Sequence, residues 1–249
     1  MEKINTRVSI QKILNHFSYS LRSIQKSSFA VQNELITVKE PTIFDLGAYV
    51  GDVAKEYRRQ FPLAKIYCFE PFPQSFQSLS QNLEGMPNTF CFQSAVSDNK
   101  GTALLNTNLN SATNSLLKTD ERGTSFWGEG LLDTMSQIEV RTTTIDTFCL
   151  EEKISHIDIL KMDVQGAEFS VLMGAKNMLA NQRISLIYTE MIICPTYAGQ
   201  HKLYEYLSFL DSFGYDFIDF FNPVRFQNQL IQADIVFLSS TFKKKLKIK

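Results

Sequence analysis

A short apolar run opens into a glycine-rich turn in the stretch Ile43-Phe44-Asp45-Leu46-Gly47-Ala48-Tyr49-Val50-Gly51-Asp52. A second apolar run follows it and ends in a lone acid, in Lys65-Ile66-Tyr67-Cys68-Phe69-Glu70. A strand, a glycine turn that begins a helix, and a second strand with an acidic tip are typical of a doubly wound α/β sheet that binds a nucleoside. In such a sheet the glycines let the backbone approach a ligand, and the carboxylate accepts hydrogen bonds from a ribose diol.

The spacing of the glycines indicates which nucleoside is bound. A dinucleotide fingerprint reads G-x-G-x-x-G, whereas this turn reads Gly47-x-x-x-Gly51 with Asp45 two residues before the first glycine. An acid at the strand end would repel a pyrophosphate and suits a cationic amino group, so the pattern favours S-adenosylmethionine. A strand-turn-helix without a ligand is the alternative for the turn alone, and Glu70 at the next strand tip argues for a nucleoside.

Composition narrows the class of protein. A chain of 249 residues with 44% hydrophobic residues can bury one large core. A net charge of −1 lacks the basic surface that nucleic-acid binding demands. No apolar run reaches the roughly 18 residues of a membrane span. Four cysteines without a C-x-x-C pair predict buried free thiols and a cytoplasmic protein, and three scattered histidines predict no metal site.

The chain divides into an N-terminal helical extension (1–40), an α/β domain (41–240) and a basic, solvated tail (241–249). An apolar stripe between positions 8 and 21 predicts that the extension caps the core, joins a homodimer or closes over a substrate. In the domain we expect a doubly wound, mostly parallel seven-stranded sheet with an antiparallel last strand. Strands are predicted at 42–46, 65–70, 89–96, 157–163, 184–191, 215–220 and 233–239, and helices at 51–60, 74–83, 145–153, 167–180 and 200–212.

Residues 98–143 form an insertion rich in Asn, Ser, Thr and Gly, with β-like pieces at 103–105 and 137–140. An insertion of this length inside a compact domain is usually functional or mobile. We therefore expect a substrate-binding or lid region here.

Acids recur at the predicted strand tips, where ligands of open α/β sheets bind. Period-two alternation puts Lys161 and Asp163 on the same face of a buried strand. Because buried charges are costly unless they are paired, this predicts either a structural ion pair of Lys161 or an Asp163 that holds a ligand amino group or a substrate hydroxyl. Glu168, in a first helical turn, is favourable through the helix dipole alone and is also a candidate for the crevice. Glu190 is a candidate to contact the ligand directly, or to hold another residue that does.

These residues together resemble the FkbM family of S-adenosylmethionine-dependent methyltransferases. The resemblance spans about 41–240 and rests on the pieces Phe44–Asp52, Phe69–Pro73, Ala95–Asp98, Thr113–Leu116, Thr144–Asp146, Leu160–Glu168 and Ala233–Phe237. It implies a Rossmann-like fold and transfer of a methyl group to a hydroxyl oxygen of a sugar, glycan or other natural product. One departure is Tyr49, which stands where Asn is common in the family.

The resemblance also implies residue roles. The implied cofactor contacts are Asp45, Gly47, Ala48, Gly51, Glu70, Phe72, Ala95, Val96, Asn114, Ser115 and Asp163, with Ala95 and Val96 near the adenine and Asp163 at the methionine end. A hydroxyl is a poor nucleophile, so a base should take its proton. The candidates for this base, in order, are Asp163, Glu168, Glu190 and His201. A divalent ion held by the three acids is a lesser alternative.

Three other functions compete with this interpretation. An NAD-dependent oxidoreductase is disfavoured by the missing middle glycine and by Asp45. Methyltransferases that act on base amines usually carry an Asn/Asp-Pro-Pro-aromatic motif where this chain has Val164-Gln165-Gly166. A non-catalytic cofactor-binding module is disfavoured by intact acids at four strand tips. We therefore expect a hydroxylated small-molecule or glycan substrate and no nucleic-acid partner.

Overall fold

The computed structural model describes residues 26–246. Its strands are β1 (Thr42–Leu46), β2 (Lys65–Phe69), β3 (Thr89–Phe92), β4 (Ala95–Val96), β5 (Gly101–Asn108), β6 (Thr134–Thr143), β7 (Ile157–Met162), β8 (Ile184–Ile192), β9 (Tyr215–Phe226) and β10 (Gln229–Ser239). Its helices are α1 (Ser28–Leu35), α2 (Asp52–Gln60), α3 (Pro73–Asn82), α4 (Thr124–Trp127), α5 (Ile145–Glu151), α6 (Glu168–Met173), α7 (Lys176–Ala180), α8 (Leu203–Ser212) and α9 (Ser240–Lys245), with 3-10 turns at Ser111–Thr113 and Glu121–Gly123.

Seven strands form the main sheet in the order β3-β2-β1-β7-β8-β10-β9. The pairs from β3 through β8 are parallel, and β10 runs antiparallel to both of its neighbours. The predicted fold class, a doubly wound sheet with an antiparallel last strand, is therefore confirmed. The strand order reverses between β1 and β7, which is where open α/β sheets bind their ligands.

Helices cover both faces of this sheet because successive side chains in a strand point to opposite faces. Ile43 and Ile159 face α1, α2, α3 and α9, whereas Phe44 and Leu160 face α5 to α8. The central strand β7 is consequently buried at all of its positions. A strand buried on both faces usually has a nearly continuous apolar sequence, and β7 departs from this at the buried charged residues Asp158 and Lys161.

The insertion folds into a second, three-stranded sheet in the order β4-β6-β5. The two β-like pieces of the insertion lie opposite each other in β5 and β6, with Ala103 beside Val140. One strand prediction is wrong, since residues 89–96 form two strands in two different sheets. A tight turn closed by the hydrogen bond from Ser94 N to Phe92 O (3.0 Å) separates β3 from β4.

The helix predicted over 167–180 is also wrong as a single element, because it breaks into α6 and α7 at Gly174. A Cβ at Gly174 would lie 2.1 Å from the carbonyl oxygen of Ser97, so the chain there packs directly against another backbone. The last two strands are longer than predicted and reach 226 and 229 at their shared turn.

The chain ends also differ from expectation. The apolar stripe at 8–21 lies outside the described residues, whereas α1 packs on the sheet through buried Ser28 and Gln32. Residues 241–245, which begin the tail expected to be solvated, lie in α9, whose start is capped by the Ser239 hydroxyl. Within residues 26–246, no helix is long and apolar enough to cross a bilayer.

Candidate functional site

The glycine turn after β1 meets the turn after β7 at the carboxyl edge of the sheet. Gly47 has φ +70°, and a Cβ there would lie 1.8 Å from the carbonyl oxygen of Asp163. A Cβ at Gly51, with φ +94°, would touch the side chains of Leu79 and Leu83 at 3.0 Å. We expected these glycines to make room for a ligand. The structure gives a different reason, which is close packing of the turn against neighbouring protein atoms.

Asp45 forms a buried ion pair instead of facing a ligand. Its side chain is 0% exposed, and its Oδ1 lies 2.9 Å from Nζ of Lys161. Burial raises the pKa of Asp45, and the Lys161 charge partly opposes that rise. The expectation that Asp45 contacts a cationic ligand group directly is therefore corrected, because its charge is already matched inside the protein.

Lys161 connects the turns after β1 and β7. Its Nζ donates to the carbonyl oxygens of Leu46 (3.3 Å) and Gly47 (3.1 Å). It also lies 3.8 Å from Oδ2 of Asp163. Burial alone would lower the pKa of Lys161, but the charges of Asp45 and Asp163 raise it above its ordinary value. The predicted ion pair of Lys161 is present, but its main partner is Asp45 at 2.9 Å rather than Asp163 at 3.8 Å.

Glu70 lies beside the glycine turn, as the motif predicts. Its Oε2 accepts a hydrogen bond from the backbone N–H of Tyr49 (3.0 Å), and its Oε1 accepts one from Phe72 (2.9 Å). Burial raises the pKa of Glu70 to about 7, although these two N–H donors oppose the rise. Each carboxylate oxygen keeps a second lone pair, so Glu70 can still accept from a hydroxyl pair.

A narrow cleft runs between the strand ends and the insertion. It is lined by Leu46, Gly47, Phe69, Pro71, Ser94, Ala95, Val96, Leu105, Asn114, Leu116 and Val164. Four residues that the resemblance assigns to the cofactor thus share one cleft, namely Gly47, Ala95, Val96 and Asn114. The buried Nδ2 of Asn114 has no hydrogen-bond acceptor within residues 26–246, whereas its Oδ1 accepts from Asn108 N (2.8 Å). A buried N–H donor at the wall of an apolar cleft fits a ligand that carries ring-nitrogen acceptors.

Gln165 joins two of the predicted acids. Its Nε2 donates to Oδ1 of Asp163 and to Oε2 of Glu190, both at 2.8 Å. Gln232 donates to the other oxygen of Glu190 (2.5 Å). Burial, followed by the charge of Asp163, raises the pKa of Glu190 well above its ordinary value. The pair therefore consists of a half-exposed Asp163 and a Glu190 whose two carboxylate oxygens are each held by a glutamine side chain.

Sequence reasoning did not single out three residues of this network. Gln165 adopts φ +56°, and its Oε1 accepts from the hydroxyl of Tyr197 (2.8 Å). The only signal for Gln165 was its position in the turn after the Lys-x-Asp strand. Tyr197 and Gln232 come from distant parts of the chain, so no local pattern points to them.

The other two base candidates have different surroundings. Glu168 is 2% exposed, and its Oε1 accepts from the backbone N–H groups of Val164 (2.9 Å) and Gly166 (3.3 Å). Burial raises the pKa of Glu168 to about 7. His201 stacks on Phe169 with ring centroids 3.8 Å apart and pairs with Glu205. Glu168 thus braces the turn after β7, and the described contacts of His201 lie outside the Gln165 network.

The remaining predicted positions support the turns and the cleft. Ala48 is buried, and its N–H donates to the Phe69 carbonyl (3.0 Å). Phe72 packs against the cluster that contains Ala95. Ser115 donates to the Gln165 carbonyl (2.6 Å). In the described part of the chain, no group of three or more His, Cys, Asp or Glu side chains is placed to hold a metal ion.

Comparison with known proteins assigns the family. Residues 45–217 match the sequence profile of the methyltransferase FkbM domain. The chain belongs to the FkbM methyltransferase family. The resemblance stated from the motifs is therefore confirmed, and the methyl donor of this methyltransferase is S-adenosylmethionine. The buried Asn114 donor and the Glu70 carboxylate are a donor and an acceptor that fit this cofactor.

Two sequence relatives of this methyltransferase carry names. The chain is 29% identical over 215 residues to the 2-O-methyltransferase NoeI of Sinorhizobium fredii, a match that covers 83% of this chain and 86% of the relative. It is 29% identical over 155 residues to the methyltransferase sdnD of Sordaria araneosa, covering 54% of this chain and 60% of the relative.

Solved structures share the fold at low identity. A crystal structure of an FkbM methyltransferase from Methylobacillus flagellatus aligns with TM-score 0.50 and 12% identity, over 82% of this chain and 45% of that one. An rRNA methylase from Streptococcus thermophilus aligns with TM-score 0.50 and 13% identity, over 88% and 99% of the two chains. These likenesses support the fold alone.

A second cavity of about 480 Å³ lies between α5 and α7, and is lined by residues that include Lys153, Ile154 and Arg183. Ile154 precedes β7 and Arg183 precedes β8, so this cavity is at the amino edge of the sheet. The opposite, carboxyl edge of the sheet carries Glu70, Asp163 and Glu190.

Proposed function

We propose that this methyltransferase transfers a methyl group to a hydroxyl oxygen of a sugar, glycan or other natural product. The observation that carries the proposal is the Asp163–Gln165–Glu190 network at the edge of the sheet that also holds Glu70 and the cleft. A half-exposed carboxylate there can take a proton from a hydroxyl nucleophile. The name of the relative in Sinorhizobium fredii supports an oxygen acceptor.

In this proposal, the cleft holds the cofactor through several parts of the chain. Glu70 accepts hydrogen bonds from the ribose hydroxyls, and Asn114 donates to the adenine, which rests on Ala95 and Val96. Asp163 faces the methionine end. Gly47, Ala48 and Gly51 shape the turn, Phe72 and Ser115 support it, and Asp45 acts through Lys161.

When bound, S-adenosylmethionine supplies a methyl group on a sulfonium centre for in-line displacement. The protein positions the acceptor hydroxyl against that methyl in a water-poor site. Asp163 accepts the hydroxyl proton, which general-base catalysis favours. Burial and the nearby charge of Asp163 raise the pKa of Glu190, and Asp163 is the more exposed carboxyl group of the pair, with 37% of its side chain accessible. Gln165 fixes the two carboxyl groups relative to each other.

The decisive experiment is calorimetric titration with S-adenosylhomocysteine of the wild type, Glu70→Ala and the matched Glu70→Gln. We expect micromolar binding that is lost in the first variant and weakened in the second. Transfer of labelled methyl to a panel of sugars and hydroxylated natural products then identifies the acceptor. Absence of binding by the wild type, or a preference for NADH, would contradict the proposal.

We propose that the protein acts in the cytoplasm on a small-molecule or glycan acceptor and has no nucleic-acid partner. The proposal leaves open whether the chain forms a homodimer. Its supports are the net charge of −1 and the four free thiols. Static light scattering of the purified chain tests the assembly state.

A further inference from the structure

A closed ring of contacts surrounds the cofactor cleft. On one side lie the glycine turn after β1 and the turn after β7, which meet where Gly47 packs on the Asp163 carbonyl. On the other side lies a segment of the insertion, residues 110–116, which we call the strap. Asn114 and Leu116 of the strap line the cleft opposite Gly47. A ligand in the cleft is therefore enclosed by two turns and the strap.

The strap is firmly attached to the turn after β7. The hydroxyl of Ser115, which is 1% exposed, donates to the Gln165 carbonyl at 2.6 Å. The backbone of Ser115 also forms two hydrogen bonds with Asn106 of β5 (2.8 and 3.1 Å). The Tyr197 hydroxyl oxygen lies 3.0 Å from the Thr113 carbonyl oxygen and 2.8 Å from Gln165 Oε1, and its one proton is shared between these two acceptors. These contacts are buried or half-buried, and several of them must break together for this end to move.

The strap meets the glycine turn through a weaker contact. The hydroxyl oxygens of Tyr49 and Ser111 lie 3.3 Å apart in an exposed hydrogen bond. An exposed hydroxyl pair exchanges readily for water, so it contributes little to stability. Of the contacts that close the ring, this one is the easiest to open.

Tyr49, which makes this contact, has an uncommon backbone conformation. Its φ is +50°, in the left-handed region that bulky residues rarely adopt. The Tyr49 N–H donates to Glu70 Oε2, the proposed ribose acceptor (3.0 Å). Its side chain remains 38% exposed, so burial of the ring does not account for the strain. Strain of this kind at a ligand cleft points to a functional constraint.

We propose that Tyr49 is a positioning residue that latches the strap over bound cofactor and sets the rate at which the product nucleoside leaves. Tyr49 makes two contacts in the ring: its N–H donates to Glu70, and its hydroxyl pairs with Ser111 of the strap. Opening of such a closure often limits turnover. This inference rests on the proposed cofactor site and adds a residue that controls release from it.

The test is stopped-flow release of S-adenosylhomocysteine from the wild type, Tyr49→Phe, Ser111→Ala and the double variant. Because one exposed hydrogen bond is lost in each case, we expect each variant to release the ligand roughly 2–10 times faster. The double variant should release it no faster than the single variants, since both remove the same contact. In steady state, KM for the methyl donor should rise while kcat is unchanged or increased.

Two matched substitutions serve as controls. Tyr204→Phe removes the hydroxyl of a tyrosine that is 64% exposed on α8. Ser136→Ala removes a hydroxyl paired with Thr107 (2.7 Å) in the small sheet next to the strap. Both should release the ligand at the wild-type rate. Unchanged release in Tyr49→Phe and Ser111→Ala, or additive acceleration in the double variant, would overturn the latch alone. A wild type that does not bind the ligand would overturn the proposed function as well.

Discussion

Individual carboxyl groups at the sheet edge differ mainly in what surrounds them. Asp45 forms an ion pair with Lys161. Glu168 accepts hydrogen bonds from two backbone N–H groups, and Glu190 accepts hydrogen bonds from two glutamine side chains. Asp163 keeps 37% of its side chain exposed. Among these four acids it is the one that a substrate hydroxyl can reach most directly.

For Asp163→Asn we expect a fall in kcat of roughly 10²–10⁴-fold, because the amide cannot accept the hydroxyl proton. Binding of S-adenosylhomocysteine should change less than tenfold, since shape and hydrogen bonding are nearly conserved. Single-turnover kinetics and calorimetry measure the two effects. Glu205→Gln on α8 is the control, and a near-normal rate in Asp163→Asn would remove Asp163 from the mechanism.

The buried Glu168 should make stability depend on pH. Burial raises its pKa from 4.5 to about 7 in the folded state, so the folded protein binds the proton more tightly than the unfolded chain. The stabilisation is present below pH 4.5 and is lost as pH rises through about 7. Its size is on the order of 3 kcal/mol.

Urea denaturation from pH 5 to 8 checks this dependence. The free energy of unfolding of Glu168→Gln should fall less steeply with pH than that of the wild type. The exposed Glu129→Gln is the control and should keep the wild-type slope. Equal slopes in Glu168→Gln and the wild type would show that Glu168 titrates at its ordinary pKa.

At the scale of elements, the site depends on two turns pressed against each other. A Cβ added at Gly47 would lie only 1.8 Å from the Asp163 carbonyl oxygen. A Cβ added at Gly85, which has a similar φ of +75°, would meet no atom within 4 Å. The two glycines therefore separate the effect of close packing from that of backbone strain.

We expect Gly47→Ala to lose several kcal/mol of stability, because the turn after β1 must move away from β7. Gly85→Ala should lose only roughly 1–2 kcal/mol from its left-handed backbone. Chemical denaturation of the two variants measures the difference. Equal losses would mean that the turn after β1 adjusts without strain.

The ion pair between Asp45 and Lys161 connects β1 to β7. We expect its loss to destabilise the protein. Lys161→Met leaves a buried carboxylate without its partner, and we expect a loss of about 3–5 kcal/mol in unfolding free energy. The double variant Asp45→Leu with Lys161→Met should recover much of this loss, because no buried charge is left unmatched. If the double variant is as unstable as the sum of the singles, the pair is not coupled.

On the scale of the whole molecule, an aromatic cluster connects the sheet to the helices beneath the cleft. Phe148 of α5 packs edge-on against Phe69 (4.8 Å) and Phe92 (4.9 Å), and also contacts Phe44 (5.7 Å). Phe69 also lines the cofactor cleft. Packing of α5 and the shape of the cleft are therefore coupled through one layer of rings.

Phe148→Ala should cost about 3–5 kcal/mol of stability, since it opens a cavity under three strands. The control is Phe217→Ala, whose side chain is 48% exposed and which should cost far less. Thermal and urea denaturation compare the two variants. A small loss for Phe148→Ala would mean that α5 collapses into the space.

Much of this protein followed from sequence alone. Local signals were enough for the order of strands and helices, the sheet class, the family and the position of Glu70, because glycine turns, apolar periods and acidic strand tips are properties of contiguous residues. The break at Gly174 and the split of 89–96 were missed, since Gly174 packs on the backbone of Ser97 and the two halves of 89–96 pair with different, distant strands, β2 and β6.

Only the tertiary structure decided which of the charged groups remain accessible to a ligand or substrate. Asp45, Asp163 and Glu190 are equivalent as strand-tip acids in sequence, and Glu168 begins the helix that follows one of those strands, yet burial and partners from distant segments give each a different environment. Lys161, Gln165 and Tyr197 reach their partners across the sheet edge, and the strap closes on Tyr49 from the insertion. Sequence determines which groups stand at the edge of the sheet; three-dimensional packing sets their solvation and neighbours, and therefore their chemistry.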